Sequence, residues 1–461
     1  MQLKLSDNTF IRCINGYAYL INQKTRKEKI FEESAFVFLS EITRDKQDSK
    51  LILTKILKKF PSKDHSEIIQ DFHDFTQELI NDQFVLSSEV YDNNNGFQNL
   101  INNEINNNEV TETSEFLNNI LKEKPFLFSI QIELLAGCNE SCIHCYIPKP
   151  TRNLENHISF VEITNILDQA KESGVLSVSF TGGEPFLHKD FLSILKKARE
   201  NDFIITILSN LTIISQEDIS ILKTLNIYNI QVSLYSINPV VHDSITGLKN
   251  SHKKTTENIE RLLKAGIPIE VSCPIIKENQ DCYVAVLEWC NQRGIKVYTD
   301  FNISAMTDFT KSNLAHRLSY NDLENTLTDI LINDKNYNIF SVRNKQTILK
   351  NQPVKFSAFK SIAVSSEGKY VPDIGWNDFV LGDIKNDFLC DVWNNSEKLK
   401  LLRSIKYEIF PQCIECDASG YCTLCLSWNY YENGGDIFNI PSNYCEMIFL
   451  IKEIVEKHKK L

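Results

Sequence analysis

Between Phe126 and about Ile303, short apolar runs alternate with amphipathic ones, and no other feature of the chain narrows its fold as much. FSIQIELL, LSVSFTGGEP, FIITILSN, IYNIQVSLYS, IPIEVSCPII and IKVYTDFNI read as six strands. Between them, stretches such as SFVEITNILDQAKESG, DFLSILKKAREN and TTENIERLLKAG repeat apolar residues at helical spacing. Parallel strands cannot be joined by a tight turn, so a strand-helix repeat closes as a parallel sheet covered by its crossover helices. In parallel barrels the chemistry gathers at the C-terminal ends of the strands, where the connecting loops converge.

The loop at the end of the first strand is LLAGCNESCIHCY, Leu134 to Tyr146, which sets Cys138, Cys142 and Cys145 at a C-x3-C-x2-C spacing. A cubane iron-sulfur cluster normally takes four thiolates, so a loop with three leaves one iron open to another ligand. The same residues can also be read as a zinc knuckle with His144 as a ligand, or as plain buried thiols. Zinc wants a further ligand nearby, and no second Cys/His pair lies at finger spacing. The next strand ends in Gly182-Gly183-Glu184-Pro185.

In these two motifs, with His144 at the aromatic position before the last cysteine, the chain resembles the radical S-adenosylmethionine (radical SAM) superfamily. The resemblance implies an α/β fold with a partial (β/α)6 barrel and a [4Fe-4S] cluster on Cys138, Cys142 and Cys145. It further implies that S-adenosylmethionine chelates the open iron and is cleaved to a 5'-deoxyadenosyl radical that removes a substrate hydrogen. His144, Tyr146, Gly182, Gly183, Glu184 and Pro185 are then cofactor-binding residues, the GGE motif contacting the amino group of the methionine moiety. Ser209-Asn210 matches the family's "TNG" position, with Leu211 in place of glycine, and Ser233 matches a position on the fourth strand. These three are candidate ribose or carboxylate contacts, or polar residues satisfied at strand ends. The family's usual arginine is absent where Ile245 to Lys249 reads ITGLK, which leaves the carboxylate's partner unassigned.

Residues 1–90 read as a small antiparallel sheet split by Asn15-Gly16, then three short helices and a last strand, FVLSSEV, a winged-helix-like order. In that order and in Asn15 to Leu20 the segment resembles the PqqD-like leader-peptide-binding domain, or RiPP recognition element. The resemblance implies a leader peptide added as a strand to the sheet edge. A generic winged helix that binds DNA is the other reading, although the basic residues Lys24, Arg26, Lys27 and Lys29 form no clean stripe. Residues 91–125 are an Asn-rich linker.

After the barrel, residues 126–303, a polar bridge covers 304–355 and carries no recognisable chemistry. Residues 356–461 hold Cys413, Cys416, Cys422, Cys425 and Cys445, a density that in a reduced protein demands a metal. A four-cysteine zinc site is one reading. The segment also resembles the SPASM domain, including its hairpin rhythm in AVSSEGKYVPDIGWNDFVLGDI. That resemblance implies at least one auxiliary [4Fe-4S] cluster on Cys413, Cys416, Cys422 and Cys445, with Cys425 turned to a second, proximal site. Ala358 and Asp373 stand where the family places cysteines, so the proximal site lacks its usual ligands.

A formal net charge of -11 argues against non-specific nucleic-acid binding. No cationic stretch followed by an apolar segment opens the sequence, and no run of about 18 apolar residues occurs, so a cytoplasmic protein without a membrane partner is expected. Cys13, Cys273, Cys282, Cys290 and Cys390 lie outside both clusters and read as small buried residues. The expectation is a radical SAM maturase that acts on a ribosomally made precursor peptide, most simply by thioether formation, with flavodoxin or ferredoxin as electron donor. Carbon-carbon crosslinking, sulfatase-maturase-like side-chain oxidation and a catalytically silent peptide-binding iron-sulfur protein are the alternatives.

Overall fold

The computed structural model describes residues 1–14, 16–88, 125–333, 348–354 and 357–458. The Asn-rich stretch, apart from residue 125, lies outside the described residues, as does Asn15.

The N-terminal segment builds two small sheets. Strands β2 (Thr9–Ile14), β3 (Tyr17–Asn22) and β4 (Glu28–Glu32) form an antiparallel meander. Strand β1 (Gln2–Leu5) lies between β5 (Gln47–Asp48) and β6 (Val85–Ser87), a pairing that the sequence pattern did not reveal because β5 is only two residues long. Three helices, Glu33–Leu39, Ser49–Lys59 and His65–Asn81, stand where the apolar spacing puts them. The third begins where the Asp64 carboxylate accepts from the Ser66 N–H, and it buries Ile68, Phe72, Thr76 and Leu79 along one face.

Strand β3 is covered on both sides. Ala18 and Leu20 face this helical core, while Tyr19 and Ile21 join Phe10, Ile14, Leu176 and Ile204 in a second cluster. Leu176 and Ile204 sit at the start of barrel strands, so the N-terminal module docks on the end opposite the cysteine loop. Arg12 pins the contact, its Nε donating to the Val175 carbonyl at 2.8 Å and its Nη2 to that of Asp202 at 2.7 Å.

Six parallel strands follow as expected: β7 (Ser129–Glu133), β8 (Ser177–Thr181), β9 (Ile204–Ser209), β10 (Asn229–Ser233), β11 (Ile269–Pro274) and β12 (Lys296–Asp300). Alternate residues such as Ile130, Ile132, Val178, Phe180, Ile207, Val232 and Val271 are inaccessible to water, each contributing about 1.5–3 kcal/mol by burial. The helix Phe160–Glu172 starts with a Ser159/Glu162 capping box and lays Ile163, Ile166, Leu167 and Ala170 on the sheet.

The sheet does not stop at β7. Strand β13 (Ser361–Val364) pairs parallel to β7, and β14 (Lys369–Val371) and β15 (Gly382–Asp383) follow antiparallel, giving nine strands in the order β12-β11-β10-β9-β8-β7-β13-β14-β15. The C-terminal segment thus grows out of the edge that carries the cysteine loop. Among the described residues no helix is long and apolar enough to cross a membrane.

Two of the scattered cysteines depart from expectation. Cys273 and Cys290 are buried and Cys282 is partly so, but Cys13 and Cys390 are exposed. Cys13 lies between neighbours on β2 whose alternation turns it outward, and Cys390 sits on the solvent side of the helix Leu389–Asn395, whose Leu389, Val392 and Trp393 face inward.

Candidate active site

The cysteine loop is held by backbone on both sides. Leu134 donates to the Thr181 carbonyl, Gly183 to Leu135 at 2.8 Å and Glu184 to Gly137 at 3.0 Å, so the two strand ends are laced together. This lacing explains the glycines. A Cβ on Gly182, whose φ is +139°, would stand 2.4 Å from the Leu135 oxygen, and one on Gly183 would stand 2.1 Å from the Gly137 oxygen. On the other side Ser141 donates to Thr246 and Ile143 to Ile245. The ITGLK stretch, which lacks the expected arginine, therefore serves as a clamp on the loop.

Cys138, Cys142 and Cys145 line one cavity of 380 Å³, and His144, Tyr146, Gly182, Gly183, Ser209, Asn210 and Ser233 line it with them. Glu184 and Pro185 are buried and are not among the lining residues. Both Glu184 oxygens are occupied: Ser209 Oγ donates at 2.8 Å, the Asn210 N–H at 2.8 Å and the Phe186 N–H at 3.1 Å. Burial pushes this carboxyl up to about 7 against those donors. Two of those donors, Ser209 and Asn210, belong to residues that line the cavity.

Burial pushes the Cys138 thiol up to about 12 and raises Cys142 and Cys145 as well; Cys138 and Cys142 also feel Glu140 and the neighbouring thiols, while Arg152 offsets part of the rise at Cys145. Among the described residues no three such side chains close around a metal-sized point as they stand. The fit to an iron-sulfur cluster rests on donor type and on three thiols sharing one cavity, and both conditions are met.

Several residues at the cavity were invisible in the motifs. Glu140, inside the C-x3-C spacing, is buried, accepts from Ser251 Oγ and faces Cys142 Sγ at 3.6 Å. Arg152 reaches the cavity from seven residues beyond Cys145, and Ile374 from beyond β14. Glu133, an acid in an otherwise apolar strand, is buried and accepts from Tyr146 OH at 3.1 Å and Asn377 Nδ2 at 3.4 Å. The barrel's last residues and the start of the polar bridge also take part: Asn302, Ile303 and Ser304 line the cavity, and the Thr307 N–H donates to the Tyr146 carbonyl.

Behind Cys142 a hydrogen-bonded chain runs inward. The Tyr235 N–H donates to His242 Nδ1 at 3.2 Å, which leaves Nε2–H for Ser251 Oγ at 3.2 Å and the Ser251 hydroxyl for Glu140. Burial, then the His252 charge, pushes His242 down to about 4. Unfolded, it titrates near 6.5, so as pH falls from about 6.5 toward 4 the unfolded chain takes up the proton first and the fold loses stability. His242→Asn should therefore gain about 2 kcal/mol relative to wild type between pH 7 and pH 5, read from urea midpoints. Parallel stability profiles would show that the folded protein protonates His242 readily.

The C-terminal thiols fall into two groups. Cys413, Cys416, Cys422 and Cys445 lie within each other's electrostatic range; burial first, then the neighbouring thiols, push Cys413 up to about 12. Cys425 stands apart, with Ser427 Oγ 3.2 Å away and the Asp373 carboxylate as its charged neighbour.

Residues 132–290 match the family model described as the radical SAM superfamily, a family whose members use a [4Fe-4S] cluster and S-adenosylmethionine. Among curated proteins the chain is 22% identical over 338 residues to the AdoMet-dependent heme synthase of Methanosarcina barkeri, covering 68% of this chain and 94% of that one. It is 26% identical over 320 residues to the antilisterial bacteriocin subtilosin biosynthesis protein AlbA of Bacillus subtilis, covering 66% of this chain and 68% of AlbA. Streptococcus suis SuiB bound to its precursor peptide SuiA superposes with a TM-score of 0.63 at 18% identity, over 93% of this chain and 96% of SuiB. That likeness shows a shared fold over nearly the whole chain.

Proposed function

We propose that the protein is a radical SAM maturase that modifies a ribosomally synthesised precursor peptide, joining a cysteine sulfur to a carbon of another residue in a sactipeptide- or ranthipeptide-type thioether. The observation that supports this reading most is the convergence of Cys138, Cys142, Cys145, the Gly182-Gly183 turn, Ser209-Asn210 and Ser233 on one cavity. When bound there, the cluster and S-adenosylmethionine supply a 5'-deoxyadenosyl radical able to break an unactivated C–H bond. The protein's own part is to hold and shield. The glycine turn fixes the thiol loop, Glu184 orients Ser209 and Asn210 toward the cofactor, and Asn302 to Ser304 with Ile374 wall the cavity on the side of the bridge and the C-terminal segment.

The curated relatives are named for different products, a heme synthase and a bacteriocin biosynthesis protein among them, so the peptide assignment leans on the N-terminal module. Read as a PqqD-like leader-binding domain, it offers β4 as an edge strand beside the helix His65–Asn81, where Phe31 meets Phe75 at 5.0 Å between ring centroids. A leader added along β4 would gain main-chain bonds and tether the core peptide. Because the module docks on the far end of the barrel, the core must cross at least one strand length, about 17 Å for five residues, which takes roughly six extended residues of spacer.

In the SPASM-like segment we assign an auxiliary [4Fe-4S] cluster to Cys413, Cys416, Cys422 and Cys445. Cys425 beside Asp373, with no second thiol in its electrostatic surroundings, favours one auxiliary cluster over the two that sulfatase-maturase-like oxidation uses. Flavodoxin or ferredoxin would deliver the electron, in a cytoplasmic setting. The test is iron, sulfide and zinc per chain after anaerobic reconstitution, together with 5'-deoxyadenosine release under reductant. About eight irons with deoxyadenosine formed is the expected result. Cys416→Ala should then drop the count by about four, whereas Cys425→Ala should leave it near eight. About four irons with one zinc would make the C-terminal site structural, and no deoxyadenosine would sink the radical mechanism.

A further inference from the structure

The cavity that carries the three thiols has one positive side chain on its lining. Arg152 and Glu140 are its only formally charged residues among those described, and they do not pair, since Glu140 is engaged by Ser251 and faces Cys142. Arg152 is built into place. It follows the one-turn 3-10 helix Lys149–Thr151, its N–H donates to the Lys149 carbonyl at 3.2 Å, and its Nε donates to the Ile147 carbonyl at 2.8 Å. That bond fixes the guanidinium plane. Its two terminal nitrogens have no protein acceptor among the described residues.

We propose that Arg152 is the carboxylate-recognition residue of this cavity, presenting the fork of its terminal nitrogens to a carboxylate of the bound ligand. Three observations carry the inference: the position on the cavity wall beside Cys145, the pre-set guanidinium, and the engagement of Glu140, the other charged residue of the lining, by Ser251 and Cys142 instead of by Arg152. A planar guanidinium held at Nε leaves two parallel N–H bonds for one carboxylate, a match that lysine cannot reproduce. The ITGLK stretch holds the cysteine loop through carbonyls and offers no cation to the cavity, so Arg152 is the cation on its lining. Two sources of carboxylate fit the same chemistry, the methionyl carboxylate of S-adenosylmethionine and an acidic group on the peptide substrate. The inference rests on the radical SAM reading of the site.

The experiment is calorimetric binding to the anaerobically reconstituted full-length protein, comparing wild type, Arg152→Gln and Arg152→Lys. The titrants are S-adenosylmethionine, its decarboxylated analogue, and synthetic peptides that differ only in one Glu-to-Gln change. Iron content and the cluster's electron paramagnetic resonance spectrum establish that each variant carries its clusters. If the methionyl carboxylate is the ligand, Arg152→Gln binds S-adenosylmethionine about 10- to 100-fold more weakly, binds the decarboxylated analogue as wild type does, and Arg152→Lys recovers only part of the loss. If the carboxylate belongs to the peptide, S-adenosylmethionine binding is unchanged and the variant no longer distinguishes the Glu from the Gln peptide.

Unchanged affinity for every titrant overturns the assignment. So does a change confined to iron content or to the resonance spectrum, which would make Arg152 a counter-charge for the cysteine thiolates. A wild-type protein that binds neither S-adenosylmethionine nor its analogue sinks the functional reading and this inference with it. Tight wild-type binding with an indifferent Arg152→Gln sinks Arg152 alone.

Discussion

Gly183→Ala should empty the barrel site of iron while leaving all of its cysteines in place. The added methyl would lie 2.1 Å from the Gly137 oxygen, 2.4 Å from its carbonyl carbon and 2.6 Å from the Ala136 oxygen. All three are backbone atoms, so no rotamer change can relieve the clash, and the Leu135–Gly137 segment must move. Overpacking of this kind costs about 1–3 kcal/mol, and the bonds from Gly183 to Leu135 and from Glu184 to Gly137 are lost with it. Cys138 follows Gly137 directly, so the displacement is delivered to a ligand. Reconstituted Gly183→Ala should carry about four fewer irons per chain and release no measurable 5'-deoxyadenosine. Gly266→Ala is the internal control: its φ is +74° but a Cβ there meets nothing within 4 Å, so only the backbone conformation is strained, at about 1–2 kcal/mol, and iron content should hold. Equal iron in Gly183→Ala and wild type would mean that the loop does not depend on this packing.

Glu184→Ala should be among the most destabilising single changes in the barrel. The side chain is inaccessible to water and satisfies the Ser209 hydroxyl and the Asn210 and Phe186 amides. Removing it leaves buried donors without an acceptor, at about 1–3 kcal/mol each, and opens a cavity, for a total of roughly 3–5 kcal/mol. Glu184→Gln keeps an oxygen for Ser209 and Phe186 but turns an NH2 toward the Asn210 N–H, so it should recover only part of the loss. Chemical denaturation of the three proteins measures the order wild type, Gln, Ala. Because Ser209 and Asn210 reach the cavity through this carboxyl, both variants should also bind S-adenosylmethionine more weakly. An alanine variant as stable as wild type would show that water or a rearranged backbone replaces the carboxylate, and would remove its positioning role.

Both substitutions act through the same physical fact, which is that the GGE motif is the seam between two strand ends. The cofactor-contact reading of Glu184 came from the motif's place in a pattern. What the structure adds is the anchoring of that carboxylate by three donors, from Ser209, Asn210 and Phe186, which the motif's spacing does not carry.

The alternation of strand and helix, the three thiols at the first strand's end and the glycine pair at the second are local properties, and the chain's own order determined them. Strand periodicity, helix capping at Ser159 and the turn at Gly16 need only neighbouring residues, so the six parallel strands and, in the N-terminal segment, the β2–β4 meander, the three helices and β6 were legible in one dimension, whereas β1 and β5 were not. What only the tertiary structure decided involves residues far apart in the chain. The pairing of β13 with β7 joins Ser361 to Ser129, and Arg152, Asn302 and Ile374 meet at one cavity from separate segments. The division of five C-terminal cysteines into four and one likewise depends on where the helix Ser442–His458 folds back. The docking of the N-terminal module on the far end of the barrel was equally hidden, because β3 buries both faces and its pattern does not say against what. Burial and hydrogen bonding between distant segments are set by the packing of the whole chain, and a sequence pattern carries only the local half of that information.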